Sequence, residues 1–169
     1  ILLGKDADEQ EDLYHRYWLS IEKTLANVLS DYIRDYMQLK QKEAYKKATE
    51  KNYKELYSRF KEIFKGIDAQ KLLDELKKYS KYYAQIALGE STGNSVVDSK
   101  LTDLRSLDVT TTYSFFMAIM DEWNKNNLTD KEVGDILEVF IIYFLRRKML
   151  RLTQAKTRPF LNLLRKYRY

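Results

Sequence analysis

Between Arg146 and Tyr169 lie nine Lys and Arg residues and no Asp or Glu. The full chain holds 30 basic and 25 acidic residues, so residues 1–145 keep 21 of the first and all 25 of the second, a net of −4. The positive excess is therefore confined to one C-terminal segment. Ammonium and guanidinium groups at that density meet phosphate oxygens and displace condensed counterions. The candidate phosphate contacts are Arg146, Arg147, Arg151, Lys156, Arg158, Arg165, Lys166 and Arg168. Two further readings of the segment stay open: a solvated helix face, and a helix lying on a membrane surface. Adjacent helical residues point about 100° apart, so Arg146 and Arg147 cannot share a face. One of them is expected to turn inward toward an acid such as Asp103 or Asp108.

Other reactive residue types are sparse. His15 is the single histidine and there is no cysteine. A disulfide framework, a Cys-ligated zinc site and an iron–sulfur cluster are thereby excluded. A Ser–His nucleophile would need His15 beside a distant serine; the plainer reading is a surface or half-buried histidine. Asp8/Asp12, Asp31/Asp35 and Asp121/Glu122 are spaced as a two-carboxylate hydrolase or a magnesium site would require. A chain with 25 acids on helices produces such pairs by chance. Neither GxxxxGK[ST] nor GxGxxG occurs, so no phosphate-cradling loop is visible. The 14 tyrosines could stack on bases, but most fall on apolar stripes and read as core (Tyr17, Tyr32, Tyr57, Tyr83, Tyr113, Tyr143). No catalytic, cofactor-binding or metal-ligating residue is assigned, and no cofactor is expected in this chain.

The elements that would position these groups are helices. One proline and five glycines leave little to punctuate strands and turns, and apolar residues recur at spacings of three and four. The expected class is all-α, a compact multi-helix bundle of about six to eight helices. The first helix should start after Asp6 or Asp8, with a stripe of Tyr14, Trp18, Ile21 and Leu25 and a break near Asn27. Residues 38–52 read as a solvated helix extension or loop. A helix from Tyr53 should stop at Gly66, and Asp68 should cap the next, which ends at Gly89. The loop 89–97 is the clearest in the chain, with a short helix from about Asp98 to Leu107 after it. Tyr113 to Asn126 reads as a buried helix. Thr129 and Glu132 form a capping box for a helix running to about Leu152, and a last helix spans about Lys156 to Lys166.

The longest uninterrupted apolar run, Val139 to Leu145, has seven residues, against about 20 for a membrane span. No secretory signal pattern opens the chain, and the composition fits a bacterial cytoplasm. The chain starts at Ile1 and ends at Tyr169 without a helix cap. The expectation is one helical domain, 1–169, cut from a larger protein, with a subdivision into 1–88 and 98–169 around the loop.

Several segments carry a resemblance when taken in order. Asp12-Leu13-Tyr14 and Tyr17-Trp18-Leu19-Ser20-Ile21-Glu22 are similar to an aromatic YW-x-x-IE segment. Leu29 to Tyr36 is similar to an F-x-x-D-Y-L helix, and Leu56-Tyr57-Ser58-Arg59-Phe60-Lys61 to a V-Y-x-x-F-K helix. Tyr79 to Tyr83 match tyrosines that close the following helix. Thr129 to Arg147, ending Tyr143-Phe144-Leu145-Arg146-Arg147, is similar to a Y-L-x-R-R helix, and Thr153 to Leu164 to the tract after it. Together they resemble the α-helical middle region of the GmrSD-like restriction proteins of bacteria. A proline that the family often carries before the helix near Ser114 is absent here.

That resemblance implies a setting. Such proteins begin with a ParB/sulfiredoxin-like nucleotide-hydrolysing domain bearing Asp-Gly-Gln-Gln-Arg and often end in a His-Asn-His nuclease. Together these cut modified foreign DNA. Neither catalytic motif occurs here, so this chain is not expected to be an enzyme, while its full-length parent would be a nucleotide-dependent DNA endonuclease. The implied role is a helical linker or scaffold of a phage-defence protein. Its partners would be neighbouring domains of the same polypeptide and double-stranded DNA, met by the basic residues named above. The alternative is a stand-alone helical protein–protein interaction module with no nucleic-acid contact.

Overall fold

The structure, a computed structural model, describes residues 6–41 and 53–149. The expectations for 42–52 and for the helix after Lys156 lie outside these residues. So do the candidate contacts Arg151, Lys156, Arg158, Arg165, Lys166 and Arg168. The class is all-α: 83% of the described residues are helical, in seven helices with no strand among them. The chain divides into two units, Ile1–Ala84 and Gln85–Tyr169.

The first unit holds four helices. Helix α1 covers 7–25 and contains a π-helical turn, Tyr14–Trp18. Helices α2 (Leu29–Gln41), α3 (Tyr53–Ile63) and α4 (Ala69–Tyr83) follow. The caps are local and were expected. Asp6 accepts from the Glu9 N–H at 2.8 Å and Asp68 from the Lys71 N–H at 3.0 Å. Between α3 and α4 the chain turns at Gly66, whose φ of +81° favours glycine.

The buried stripe of α1 is Leu13, Tyr17, Ile21 and Leu25, not the Tyr14–Trp18 line that the spacing suggested. Every step is four residues, which in a regular α-helix drifts by about 40°. A π-helical turn is wider and takes back part of that drift, so these side chains stay in line. Tyr14 and Trp18 are carried onto a neighbouring face. Tyr32, Tyr36 and Met37 of α2, Leu56 and Phe60 of α3, and Leu72, Leu73 and Leu76 of α4 are buried in the same unit. Each such burial is worth about 1.5–3 kcal/mol. Tyr32 donates to the Leu76 carbonyl at 2.6 Å, and an ion pair between Lys40 and Glu75 also joins α2 to α4.

Another π-helical turn, Ala84–Leu88, leads into the second unit, which holds α5 (Ser95–Ser106), a 3₁₀ turn (Thr110–Thr112), α6 (Tyr113–Asn124) and α7 (Asp130–Met149). The units part at Ala84, ahead of the loop where sequence placed the division. The reason is that the turn before the loop is tied to α5. Arg105 donates to the Gln85 and Ile86 carbonyls at 3.0 and 3.3 Å. Helix α5 also starts earlier than expected. Asn94, not Asp98, is its cap, accepting from the Val96 and Val97 N–H groups at 3.0 and 3.1 Å. Asp98 folds back onto the loop, taking the Ser91 hydroxyl at 2.7 Å and the Thr92 N–H at 2.8 Å.

Helix α7 starts at the expected capping box. The Thr129 N–H donates to Glu132 at 2.8 Å and the Glu132 N–H to the Thr129 hydroxyl at 3.3 Å. Its inner face carries Val133, Gly134, Leu137, Phe140 and Phe144. Phe140 stacks on Phe115 and meets Phe116 edge-on, both at 5.0 Å between centroids. The Lys100 stem of α5 lies across α7 beside Gly134, and Lys100 reaches Glu138 at 2.8 Å.

Candidate functional site

The first unit contains an apolar groove of about 390 Å³. Three helices supply its walls: Tyr14 and Trp18 from α1, Leu29, Ser30 and Ile33 from α2, and Leu56, Tyr57, Phe60 and Lys61 from α3. Leu73 of α4 also lines it. The π-helical turn turns Tyr14 and Trp18 toward the groove instead of the core. One carboxylate holds both, since Glu22 accepts from the Tyr14 hydroxyl at 2.9 Å and from the Trp18 indole N–H at 2.7 Å. That acceptance also holds the Tyr14 hydroxyl above its ordinary pKa. Across the groove, the Lys61 ammonium lies 4.6 Å from the centroid of the Tyr57 ring. Tyr57 is 53% exposed, so its tyrosine-core expectation fails. It sits on a groove wall, whereas Tyr17, Tyr32, Tyr83 and Tyr113 are buried as expected. Tyr143 is half-buried. A recess with aromatic faces suits apolar or aromatic groups, and the Lys61 ammonium at its rim suits one that also carries a negative charge.

The carboxylate pairs singled out in the sequence are each met by a base. Arg34 lies between Asp31 and Asp35, at 2.5 Å from the first and 2.7 Å from the second. Arg34 and Asp35 are buried, and Tyr83 donates to Asp35 at 3.4 Å. Burial pushes the Asp35 carboxyl up to about 6 against the opposing pull of Arg34. Asp12 pairs with Arg16 at 2.7 Å, and Asp121 and Glu122 both hold Lys125 at 2.9 and 3.0 Å. Among the described residues no group of three or more His, Cys, Asp or Glu could hold a metal ion. His15 is a surface residue, 3.7 Å from Glu11 and edge-on to Tyr14.

Of the basic segment, Arg146, Arg147 and Lys148 are described. They occupy the last turn of α7, where cations face the helix's partial negative charge. Arg146 is exposed and Arg147 half-buried. Arg147 donates to the Tyr143 hydroxyl at 3.0 Å, with its guanidinium 5.4 Å over that ring. Among the described residues no helix is long and apolar enough to cross a membrane.

Sequence reading missed the groove and the buried arginine. A signal for the groove was present: Tyr14 and Trp18 repeat, one residue on, the spacing of Leu13 and Tyr17. Arg34 had a weaker one, with acids at both i−3 and i+1 inside the apolar run Tyr32 to Met37.

The fold and the groove thus define an all-α protein with an aromatic-walled recess in its first unit. Compared with protein-family models, curated proteins and solved structures, the chain matches none.

Proposed function

We propose that the chain is a helical scaffold domain of a bacterial phage-defence restriction protein of the GmrSD-like kind. It would couple an upstream nucleotide-hydrolysing domain to a downstream nuclease and lie against DNA along its basic C-terminal segment. The observation that carries this reading is the charge partition, with nine cations and no acid from Arg146 onward and a net of −4 before it. The order of motifs that resemble the family's supports the setting. On this reading the chain contributes no reactive group. Its helices keep the neighbouring domains in register, and Arg146, Arg151, Arg158 and Arg165 neutralise phosphates without reading bases.

The test is fluorescence anisotropy of a labelled duplex at rising salt. Phosphate contact predicts sequence-independent binding whose log–log salt slope is about −0.9 per phosphate neutralised. Replacing Arg151, Arg158 and Arg165 by Ala should weaken binding uniformly and flatten the slope by about 2 to 3. Absence of binding at low salt would overturn the DNA reading.

The groove favours a second reading, a helical protein–protein interaction module with no nucleic-acid contact. The partner it fits is a peptide presenting an apolar side chain beside an acid, which would meet Lys61. Trp18 fluorescence would report its entry, and Tyr57→Ala with Lys61→Ala should abolish that change while leaving any DNA binding intact.

A further inference from the structure

Helix α7 is apolar on two opposite faces. Val133, Leu137, Phe140 and Phe144 are buried inside the second unit. Val139, Ile142, Leu145 and Met149 follow at spacings of three, three and four. They share the face turned away from that core, where they are 60%, 41%, 46% and 76% exposed. Over Val139 to Leu145 the helix is apolar all round, and such a stretch is ordinarily covered all round. The outward face also has an electrostatic direction. Asp135 and Glu138 lie toward its N-terminal half, after Lys131, and Arg146 lies toward its C-terminal half, with Val139, Ile142 and Leu145 between and Met149 beyond.

We propose that this face pairs with the same face of a second copy of the chain, antiparallel, about a two-fold axis near Ile142. Charge decides the direction. A parallel partner would set Arg146 against Arg146 and Glu138 against Glu138. An antiparallel partner sets each residue against the one equally far beyond Ile142. Val139 then meets Leu145 of the partner subunit, and Arg146 comes within reach of Asp135 of the partner subunit and Glu138 of the partner subunit. Such a surface is self-complementary, as a closed two-fold interface requires. Both carboxylates already bond a lysine within their own chain, Asp135 with Lys131 at 3.0 Å and Glu138 with Lys100 at 2.8 Å. Each keeps acceptor sites for a guanidinium. The apolar stretch, 139–149, is about 15 Å long. That is small beside the roughly 800 Å² per partner of a standard interface, so the dimer is weak and concentration-dependent. The pairing needs neither DNA nor the groove, but it takes up Arg146, so in the dimer phosphate contact falls to the basic residues beyond it.

Sedimentation equilibrium of the 169-residue chain over a wide concentration range tests it, with far-UV circular dichroism to confirm folding. A monomer–dimer equilibrium is expected, and Ile142→Glu should raise its dissociation constant at least about tenfold. Glu138→Arg and Arg146→Glu should each weaken the dimer, and the two together should restore it. The chain has no cysteine, so single cysteines report geometry directly. Ile142→Cys should oxidise to a covalent dimer, because a disulfide needs Cα atoms within about 7 Å. Lys131→Cys should not, since its counterpart in the antiparallel pair lies about 33 Å along the helix. A monomer at every concentration, or a dimer indifferent to Ile142→Glu, overturns the proposal. Crosslinking at both positions indicates a parallel pair and also overturns it. So does a monomer that binds anionic vesicles through Val139 and Ile142.

Discussion

Asp35 offers a measurement in which burial and ion pairing pull in opposite directions. Its carboxylate sits in the core of the first unit against the Arg34 guanidinium, with Asp31 on the far side of that arginine and the Tyr83 hydroxyl at 3.4 Å. Pairing alone would pull its pKa down. Burial outweighs it and takes the group from 3.8 to about 6. The native state therefore binds this proton more tightly than the unfolded chain does. The resulting stability is fully present below pH 3.8 and is lost as pH rises through about 6. Across that window the loss amounts to about 3 kcal/mol.

The chain carries 25 Asp and Glu residues, so the wild-type profile alone does not isolate Asp35. Asp35→Asn can, because asparagine keeps the shape and hydrogen bonds of the protonated acid but carries no charge. The stability difference, mutant minus wild type, should rise with pH between about 4 and 6 and then level off, by up to about 3 kcal/mol. Urea denaturation followed by circular dichroism at stepped pH supplies both curves. Asp35→Ala serves as the contrasting variant. It strips Arg34 of its buried partner and should cost about 3–5 kcal/mol at neutral pH. A flat difference for Asp35→Asn would refute the dominance of burial. A difference that falls with pH would show that the pair with Arg34 wins.

Two further predictions concern the second unit. Phe140→Ala removes the ring shared by Phe115, Phe116 and Phe144 and should cost about 3–5 kcal/mol, read as a lower denaturation midpoint. Gly89→Ala should destabilise more than Gly66→Ala in the same assay. Both glycines have positive φ, but a methyl at Gly89 would lie 3.3 Å from the Arg105 guanidinium, whereas Gly66 faces open space. The extra cost is the small shift forced on Arg105, which strains its bonds to the Gln85 and Ile86 carbonyls, up to about 1 kcal/mol.

Features decided within one or two helical turns were legible in the sequence. Asp68, Gly66 and the Thr129–Glu132 box act on their own backbone neighbours, so residue type and spacing suffice to place them. The sequence places the start of α5 late, near Asp98, because residues 89–97 read as loop and Val96 and Val97 are indifferent helix formers; the Asn94 cap overrides that. The groove was hidden for a different reason. Its lining comes from four stretches of chain, and its shape depends on a π-helical turn that no residue type announces. Tyr14 and Trp18 read as core because apolar periodicity identifies a stripe but not which of two adjacent stripes faces inward.

The same reasoning gives the run Val139 to Leu145 a meaning beyond its length. An amphipathic surface helix interrupts its apolar residues with polar ones every second or third position. Seven in succession cannot all face one core, so part of the run must point outward wherever the helix lies. Phe140 and Phe144 face inward, and Val139, Ile142 and Leu145 are left exposed. Leucine and isoleucine on a solvated face contribute nothing to helix formation that lysine or glutamate would not. Their presence there, framed by acids before and an arginine after, is what a buried interface requires and a solvated helix does not. An Ile142→Lys chain that folds as stably as wild type, but no longer self-associates, would locate the value of that residue outside the monomer.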